Sequence, residues 1–380
     1  MASSAGTSTA SSAPDPQVLD AARGGDEAAF GLLVEPHRRE LQAHCYRMLG
    51  SLHDAEDAVQ EMLLRAWKAL ARFGGEQLLR PWLYKIATNV CLDAIAKRPK
   101  RVMPVDHVPA TDPTPGPVAT PVIESVWVEP FPDETLAVED GYAGPEASYE
   151  LREAVELAFI AALQHLPANQ RAVLITREVL GYSAQEVADL LDTSVQSVNS
   201  ALQRARKSVD EKLPEQSQQR TLRALGDDGI REVVEGYMDA MERGDVDKVV
   251  SMLAEDAVWS MPPLDAWFGG PEGGHESLEG FLVGGPLNGE FRWKHLAART
   301  NGQVAVAAYA WVDDEGAYLP FALDTMALTP EGKIQEVTSF IVRTTDLPPE
   351  AFAHWPYHPI DPETTEAVFG RAGLPAQLTD

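Results

Sequence analysis

Between Val102 and Glu150 the chain carries no lysine or arginine, ten acidic residues and nine prolines. A stretch so charged and so rich in proline cannot bury enough apolar surface to offset the entropy of ordering it. Residues 102–149 therefore read as an acidic, partly extended linker, and the chain is split into parts that fold separately. At about 150 residues per domain, a 380-residue chain has room for two or three. Residues 1–27 open Ser/Ala/Thr-rich and are expected to be a disordered tail.

The formal charge of −27 argues against a nucleic-acid partner only if it is spread evenly, and it is not. Residues 30–101 hold 12 basic against 8 acidic groups and end in the basic run Lys97, Arg98, Lys100, Arg101. Residues 151–212 hold 7 against 8, close to neutral, while residues 226–380 hold 9 against 27, a net of −18. A mildly basic head, an acidic spacer, a neutral module and a strongly acidic C-terminal part follow. The longest apolar run, Val304 to Val312, is far shorter than the roughly 20 residues that span a bilayer, so no membrane segment is expected. The N-terminus lacks the basic start and apolar core of a secretory signal. The two cysteines, Cys45 and Cys91, lie in helical apolar patterns without CxxC spacing, which predicts buried thiols in a reducing cytoplasm, no metal site and no cofactor.

Apolar and small residues at Ala55, Ala58, Val59, Met62, Ala66, Ala69 and Leu70 trace one face of an amphipathic helix, with Asp57, Gln60, Glu61, Arg65 and Lys68 opposite. Similar patterns run from Phe30 to Leu49 and from Pro81 to Ala96, so residues 28–101 read as all-α. Beyond residue 226 the texture changes to a helix over Ile230–Met241. Alternating stretches follow at Ala257–Met261, Phe291–Ala297, Val304–Val312, Ala322–Leu328 and Ile334–Val342, an α+β pattern. Residues 346–380 are expected to be a C-terminal tail.

The sharpest motif begins at Leu166: LPANQRAVLITREVLGYSAQEVADLLDTSVQSVNSALQRARKSV. Ser183 with Glu186 three residues on forms a capping box, and a short turn over Asp192 and Thr193 leads to a second helix capped by Ser194. Val195, Val198 and Leu202 face inward; Gln196, Ser197, Asn199, Ser200, Gln203 and Arg204 face outward. This is the layout of a helix-turn-helix, whose second helix offers hydrogen-bonding side chains to base edges in the major groove. Taken alone, the same face also fits a solvated helix on an ordinary bundle.

A second motif settles the choice. DAEDAVQEMLLRAWKALARFGG, followed by LLRPWLYKIATNVCLDAIAKR, resembles region 2 of an extracytoplasmic-function (ECF) sigma factor, and residues 150–213 resemble region 4. The resemblance implies a non-enzymatic RNA polymerase subunit, partnered by core polymerase through its β′ clamp and β flap and by promoter DNA. It assigns Asp57, Gln60 and Glu61 to the clamp contact, Phe73 to Arg80 to the loop that captures a flipped −10 base, and Trp82, Lys85, Asn89, Lys97 and Arg98 to the surface that follows the melted strand. Ser197, Asn199, Ser200, Gln203 and Arg204 fall to the −35 element. Phe73, Trp82 and Tyr84 interleaved with basic residues suit unstacked bases, though Trp82 and Tyr84 also fit a helical core. Asn199 stands where many members have arginine, and Gln77-Leu78-Leu79 replaces the usual small or Gly-containing loop. The acidic linker takes the place of region 3, either as a nucleic-acid mimic threading the polymerase channel or as a plain tether.

Residues 226–345 resemble the SnoaL-like, nuclear-transport-factor-like cone, on the strength of IREVVEGYMDAMERGDVDKVVSMLAEDAVWSMPP, Gly274 to Phe281 and the strand series. Enzymes of this fold pair Asp and His as acid and base, and Asp265, His275 and His295 are the candidates; the expectation is nonetheless a non-catalytic domain that regulates in cis. An aromatic pocket of Trp259, Trp267, Phe268, Tyr309 and Trp311 would hold an apolar small molecule, and an anti-sigma protein is a further candidate partner. The competing classes are a one-component helix-turn-helix regulator with a ligand-sensing tail and a SnoaL-type enzyme with a DNA-recruiting module; neither needs a clamp-binding helix.

Overall fold

The structure, a computed structural model, describes residues 15–74, 78–113, 126–133, 152–214, 216–344 and 359–379. In chain order the first helices are α1 (Pro16–Arg23), α2 (Glu27–Val34), α3 (Arg38–Leu49), α4 (Leu52–Ala69), α5 (Leu79–Ile95), α6 (Pro104–His107) and α7 (Leu157–Gln164). They are followed by α8 (Ala168–Leu174), α9 (Ala184–Leu190), α10 (Val195–Asp210), α11 (Gln218–Arg243), α12 (Val246–Met252), α13 (Gly270–Gly284) and α14 (Pro362–Val368). The strands are β1 (Leu253–Ser260), β2 (Trp267–Gly269), β3 (Trp293–Thr300), β4 (Gln303–Val312), β5 (Ala317–Leu328) and β6 (Ile334–Ile341). They belong to two compact units: Met1–Leu49, Asp54–Arg98 and Pro167–Arg206 form one, and Gly50–His53, Pro99–Leu166 and Lys207–Asp380 the other. Among the described residues no helix is long and apolar enough to cross a membrane, and no cluster of His, Cys, Asp or Glu could hold a metal ion.

The first unit is helical. Of the tail expected over residues 1–27, residues 1–14 lie outside the described residues, and the rest is helical: Asp15 caps the Gln17 amide, Pro16 sits in the first turn, and α1 buries Leu19 and Ala22. The pattern from Phe30 to Leu49, read as one helix, is broken between α2 and α3 by a 3₁₀ turn at Glu35–His37. Pro36 has no amide hydrogen to continue the ladder. α4 turns Ala55, Ala58, Val59, Met62 and Ala66 inward as its period requires. α3 and α5 pack together through Leu41, Cys45, Leu83, Ala87 and Cys91, with both thiols free and buried.

The second unit is α+β. Its sheet runs β2-β1-β6-β5-β4-β3, with β1 and β6 parallel and every other pair antiparallel. One face carries Trp259, Val306, Met326 and Val337, packed against Val233, Tyr237 and Met241 of α11 and Leu278 and Phe281 of α13. α11 is broken at Gly226, whose φ of 67° and ψ of 172° are open to glycine and costly for other residues.

The segment between residues 102 and 149 shows where composition misled. Residues 102–149 were expected to contribute nothing to a core, yet Met103, Trp127, Val128 and Phe131 are buried. Val102 pairs with Trp127, the Trp127 indole donates to the Pro263 carbonyl, and the Phe131 amide donates to Asn301 Oδ1. Residues 114–125 and 134–149 of that linker lie outside the described residues. The C-terminal tail differs likewise: over residues 359–379, Leu378 pairs with Tyr318, and buried Phe369 stands edge-on to Tyr309 at 5.3 Å.

Candidate nucleic-acid interface

α4 presents a continuous exposed face of Asp57, Gln60, Glu61 and Leu64, because 3.6 residues per turn places these four side by side. Arg65 on its flank bonds Glu61 at 2.7 Å and Asp93 of α5 at 2.9 Å. Arg98, just beyond α5, pairs with Asp54 and lies 4.0 Å from Asp57 Oδ2, so a cation assigned to DNA and a carboxylate assigned to polymerase share one charge cluster. Lys97 beside it is exposed and Asn89 half-buried.

Phe73 is not an open platform. It is 3% exposed, and its ring lies 4.9 Å from half-buried Trp82. Tyr84 belongs to the core, its hydroxyl donating to Glu40 Oε2 at 3.1 Å. Gly75, Glu76 and Gln77 of the expected base-capturing loop lie outside the described residues.

The helix-turn-helix forms as its caps dictate. Ser183 Oγ accepts the Glu186 amide at 3.2 Å and the Glu186 carboxylate accepts the Ser183 amide at 2.7 Å. Asp192 turns the chain with φ 50°, and Ser194 Oγ accepts the Ser197 amide to start α10. Val198, Leu202, Ala205 and Val209 point inward, while Gln196, Ser197, Asn199, Ser200, Gln203 and Arg204 are all exposed. Arg206 is engaged by Glu178 at 2.6 Å.

Within the first unit this module is docked on α3 and α5. Buried Arg171 of α8 donates to the Met48 carbonyl at the end of α3, where the helix dipole favours a cation. Tyr182 stands edge-on to Tyr84 with ring centres 6.0 Å apart, and Arg80, paired with Glu40 at 2.8 Å, stacks on Tyr84. Burial opposes the charge on Glu40, but His37 and Arg80 outweigh it and hold its carboxyl below the usual range. Lys85 Nζ donates to the Asp189 carbonyl at 2.8 Å and to Asp192 Oδ1 at 2.7 Å. Arg80, expected in the base-capturing loop, is held instead by Glu40 and Tyr84, and Glu40, Arg171 and Tyr182 carry no expectation from sequence, since a polar residue at an internal interface has the same local pattern as a solvated one.

In the second unit Trp259, Tyr309, Trp311, Asp265, His275 and His295 do not line one cavity. Trp259 lies in the core against α11 and α13. Tyr309 alternates away from Val306 onto the opposite face, where its hydroxyl donates to the Pro375 carbonyl, and Trp311 stands under Arg292 and beside Tyr318. His275 Nε2 bonds the Ala254 carbonyl at 2.8 Å, His295 is buried with Nδ1 3.5 Å from Glu242, and no bond joins either to half-buried Asp265. The buried polar centre is instead Asp324, which sequence reasoning missed. Its oxygens accept from Tyr237 at 2.9 Å and Ser339 at 2.5 Å, and the Trp259 indole donates to Ser339 Oγ at 2.9 Å. Burial raises the Asp324 carboxyl above its ordinary value, against the pull of Ser339 and Tyr237.

Residues 33–101 match the model of sigma-70 region 2, residues 156–209 that of sigma-70 region 4, and residues 234–337 that of a SnoaL-like domain. The ECF RNA polymerase sigma factor SigG of Mycobacterium tuberculosis is 40% identical over 320 residues, covering 83% of this chain and 82% of that protein. The chain belongs to the ECF RNA polymerase sigma factors. The RNA polymerase sigma-H factor of Pseudomonas aeruginosa is 29% identical over 199 residues, covering 52% of this chain and 93% of its own length. The crystal structure of the M. tuberculosis ECF sigma factor SigJ aligns with 87% of this chain and 99% of its own at a TM-score of 0.48 and 24% identity. As an ECF sigma factor, the protein binds core RNA polymerase and promoter DNA in transcription initiation and carries a SnoaL-like C-terminal domain. The match to sigma region 2 over residues 33–101 separates this chain from the one-component regulator and the recruited enzyme.

Proposed function

We propose that the sigma factor rests with region 4 docked on region 2, and that its SnoaL-like domain regulates initiation in cis by retaining the segment between them. The observation that carries this reading is the capture of Trp127, Val128 and Phe131 by the second unit. Regions 2 and 4 are joined in the chain only through residues 102–155, so whatever holds that segment limits how far the two regions can part. The role is one of contact and not of turnover: Asp265, His275 and His295 share no bond, and both oxygens of Asp324 are occupied. The site of action is the cytoplasm, where core polymerase is found.

Once released, each surface has a task that its chemistry suits. The exposed face of α4 offers Asp57, Gln60 and Glu61 to the polymerase clamp. Lys85, Asn89, Lys97 and Arg98 follow the melted strand, with Trp82 as the stacking surface, since every base has a face to stack and every phosphate a charge to neutralise. On α10 the amides of Asn199 and Gln203 suit adenine and Arg204 suits guanine, with Ser197 and Ser200 accepting or donating as needed.

Asn301 supplies the test. Its side chain accepts the Phe131 amide and donates to the Val155 carbonyl, and its φ of 55° is one that glycine adopts freely. Asn301→Gly removes both bonds while keeping the turn. Transcription in vitro from a promoter selected with the holoenzyme should rise several-fold; equal transcription by the two proteins across a range of salt would remove the regulatory role.

A further inference from the structure

Trp267, which the sequence places among the aromatics of a pocket, turns its polar atoms to the linker. Its indole donates to the Val108 carbonyl at 2.8 Å, its amide donates to Thr111 Oγ1 at 3.3 Å, and its carbonyl accepts the Thr111 amide at 2.8 Å. β2 is an outer strand of the sheet, paired there with β1, so its far side presents backbone groups that need partners. The amide of Gly269, two residues on, bonds Ser277 Oγ at 3.2 Å, which leaves Trp267 as the point where a further segment can add to the edge. Gly280 of α13 bounds the same linker segment. A Cβ at Gly280 would lie 2.9 Å from Pro113 Cβ and 3.3 Å from its Cγ. No positive φ calls for glycine at this position, and glycine weakens a helix interior relative to alanine, so the close approach of Pro113 is what accounts for it. All these residues belong to the second unit.

We propose that the edge of β2 at Trp267, together with Gly280, is a docking surface for residues 108–113, a latch that opens separately from the anchor at Trp127, Val128 and Phe131. It rests on the reading of the linker as the segment through which the SnoaL-like domain acts. The mode is addition to a sheet edge, in which backbone bonds hold the added segment and side-chain fit selects it. Thr111 satisfies both backbone groups of Trp267, the indole clamps Val108, and Gly280 admits Pro113. Because Thr111 is on the same chain, its effective concentration at the edge exceeds that of a free strand. The two anchors differ in how firmly they hold. Trp127, Val128 and Phe131 are buried, whereas each residue from Val108 to Pro113 is exposed or half-buried, and segments with little buried surface open at lower free energy. The latch therefore opens first. It lies shortly after residue 101, where the region 2 match ends, so opening it lengthens the free chain on the region 2 side while Trp127 stays in place.

Hydrogen exchange at single-amide resolution in the full-length protein tests the latch, with the Thr111 amide reporting on it and the Phe131 amide on the other anchor. In the wild type Thr111 should exchange faster than Phe131, and both more slowly than an unbonded amide. Gly280→Leu places a side chain where Pro113 lies and favours the helix that carries it. It should speed exchange at Thr111 about tenfold, leave Phe131 and the thermal melt unchanged, and raise transcription in vitro several-fold. Trp267→Phe, which keeps a ring and loses the indole donor, should act in the same direction to a smaller extent. Unchanged exchange at Thr111 in Gly280→Leu overturns the latch, as does an equal acceleration at Phe131, which would make the two anchors one. Should Gly280→Leu lower the melt, Trp267→Phe decides: faster exchange at Thr111 supports the latch and unchanged exchange overturns it. Protection of Thr111 that falls on dilution would seat the segment on a second copy and overturn docking in cis. Faster exchange at Thr111 with unchanged transcription supports the latch and overturns the regulatory reading. If Thr111 is unmoved in both variants while Asn301→Gly still raises transcription, the latch is wrong and the regulatory reading stands.

Discussion

Lys85 of α5 bonds Asp192 in the turn of the helix-turn-helix, with 2.7 Å between Nζ and Oδ1. One partner lies on the surface assigned to the melted strand and the other at the entry to the promoter-reading helix. While this pair persists, Lys85 is not available to a phosphate.

Breaking the pair should release the docked state at little cost in stability. Both side chains are partly exposed, and such ion pairs contribute about 0–1 kcal/mol. Asp192→Asn keeps a residue that tolerates φ 50° and removes the charge. Its melting temperature should stay close to that of the wild type, while the apparent affinity for core polymerase rises, since a closed resting state lowers apparent affinity by the fraction that is closed. A thermal melt reads the first and equilibrium binding to labelled core polymerase the second.

Glu61→Lys should abolish the polymerase contact without unfolding α4. Glu61 is exposed and its partner Arg65 keeps Asp93, so the fold loses one surface pair, whereas a reversed charge within an interface costs several kcal/mol. Co-purification with core polymerase and a thermal melt distinguish the two effects; retained binding would contradict the assignment of Asp57, Gln60 and Glu61.

Arg204→Ala should weaken binding of the −35 duplex by about 1–3 kcal/mol if it reads a base edge. Lys97 and Arg98 should separate from each other. Lys97→Ala is expected to reduce the salt slope of open-complex formation by about 1 and to leave stability alone. Arg98→Ala removes a partner of Asp54, a carboxylate that is only 6% exposed, and should destabilise the first unit by about 1–3 kcal/mol.

These sites divide what the sequence makes legible from what it does not. The helix-turn-helix could be placed to the residue because Ser183, Glu186 and Ser194 are local signals, each acting within one turn. The α4 face follows from period alone. Arg171, Tyr182 and Asp324 were out of reach because their partners, Met48, Tyr84 and Tyr237, are distant in sequence and no local pattern encodes the pairing. The linker was misjudged for a related reason: average composition describes a segment's mean tendency, while Trp127 and Phe131 act singly. The candidate pocket failed on strand parity, since Trp259 and Tyr309 face opposite sides of the sheet.

The second unit should lose stability as pH rises from about 5 to about 8. Glu156 accepts the amides of Gln218 and Gln219 at 3.1 and 2.8 Å, and burial, only partly offset by those bonds, raises its carboxyl from 4.5 to about 7. The folded state therefore holds a proton across that window that the unfolded chain has released. The stabilisation is full below the unfolded value and is lost as pH passes the folded one. At about 1.4 kcal/mol per unit, the change is on the order of 3 kcal/mol. Urea unfolding at several pH values should show the slope, and Glu156→Gln should flatten it; equal slopes in the two proteins would mean that another group titrates.

The most direct measurement is the distance between region 2 and region 4. Spin labels at Lys68→Cys and Gln196→Cys occupy exposed positions on α4 and α10, and the native Cys45 and Cys91 are too buried to be labelled. In full-length free protein the distribution should be short and narrow. It should move to longer distances with core polymerase, and part of the free population should already be long in Asn301→Gly. A distribution that is the same with and without core polymerase would contradict a docked resting state that opens for initiation.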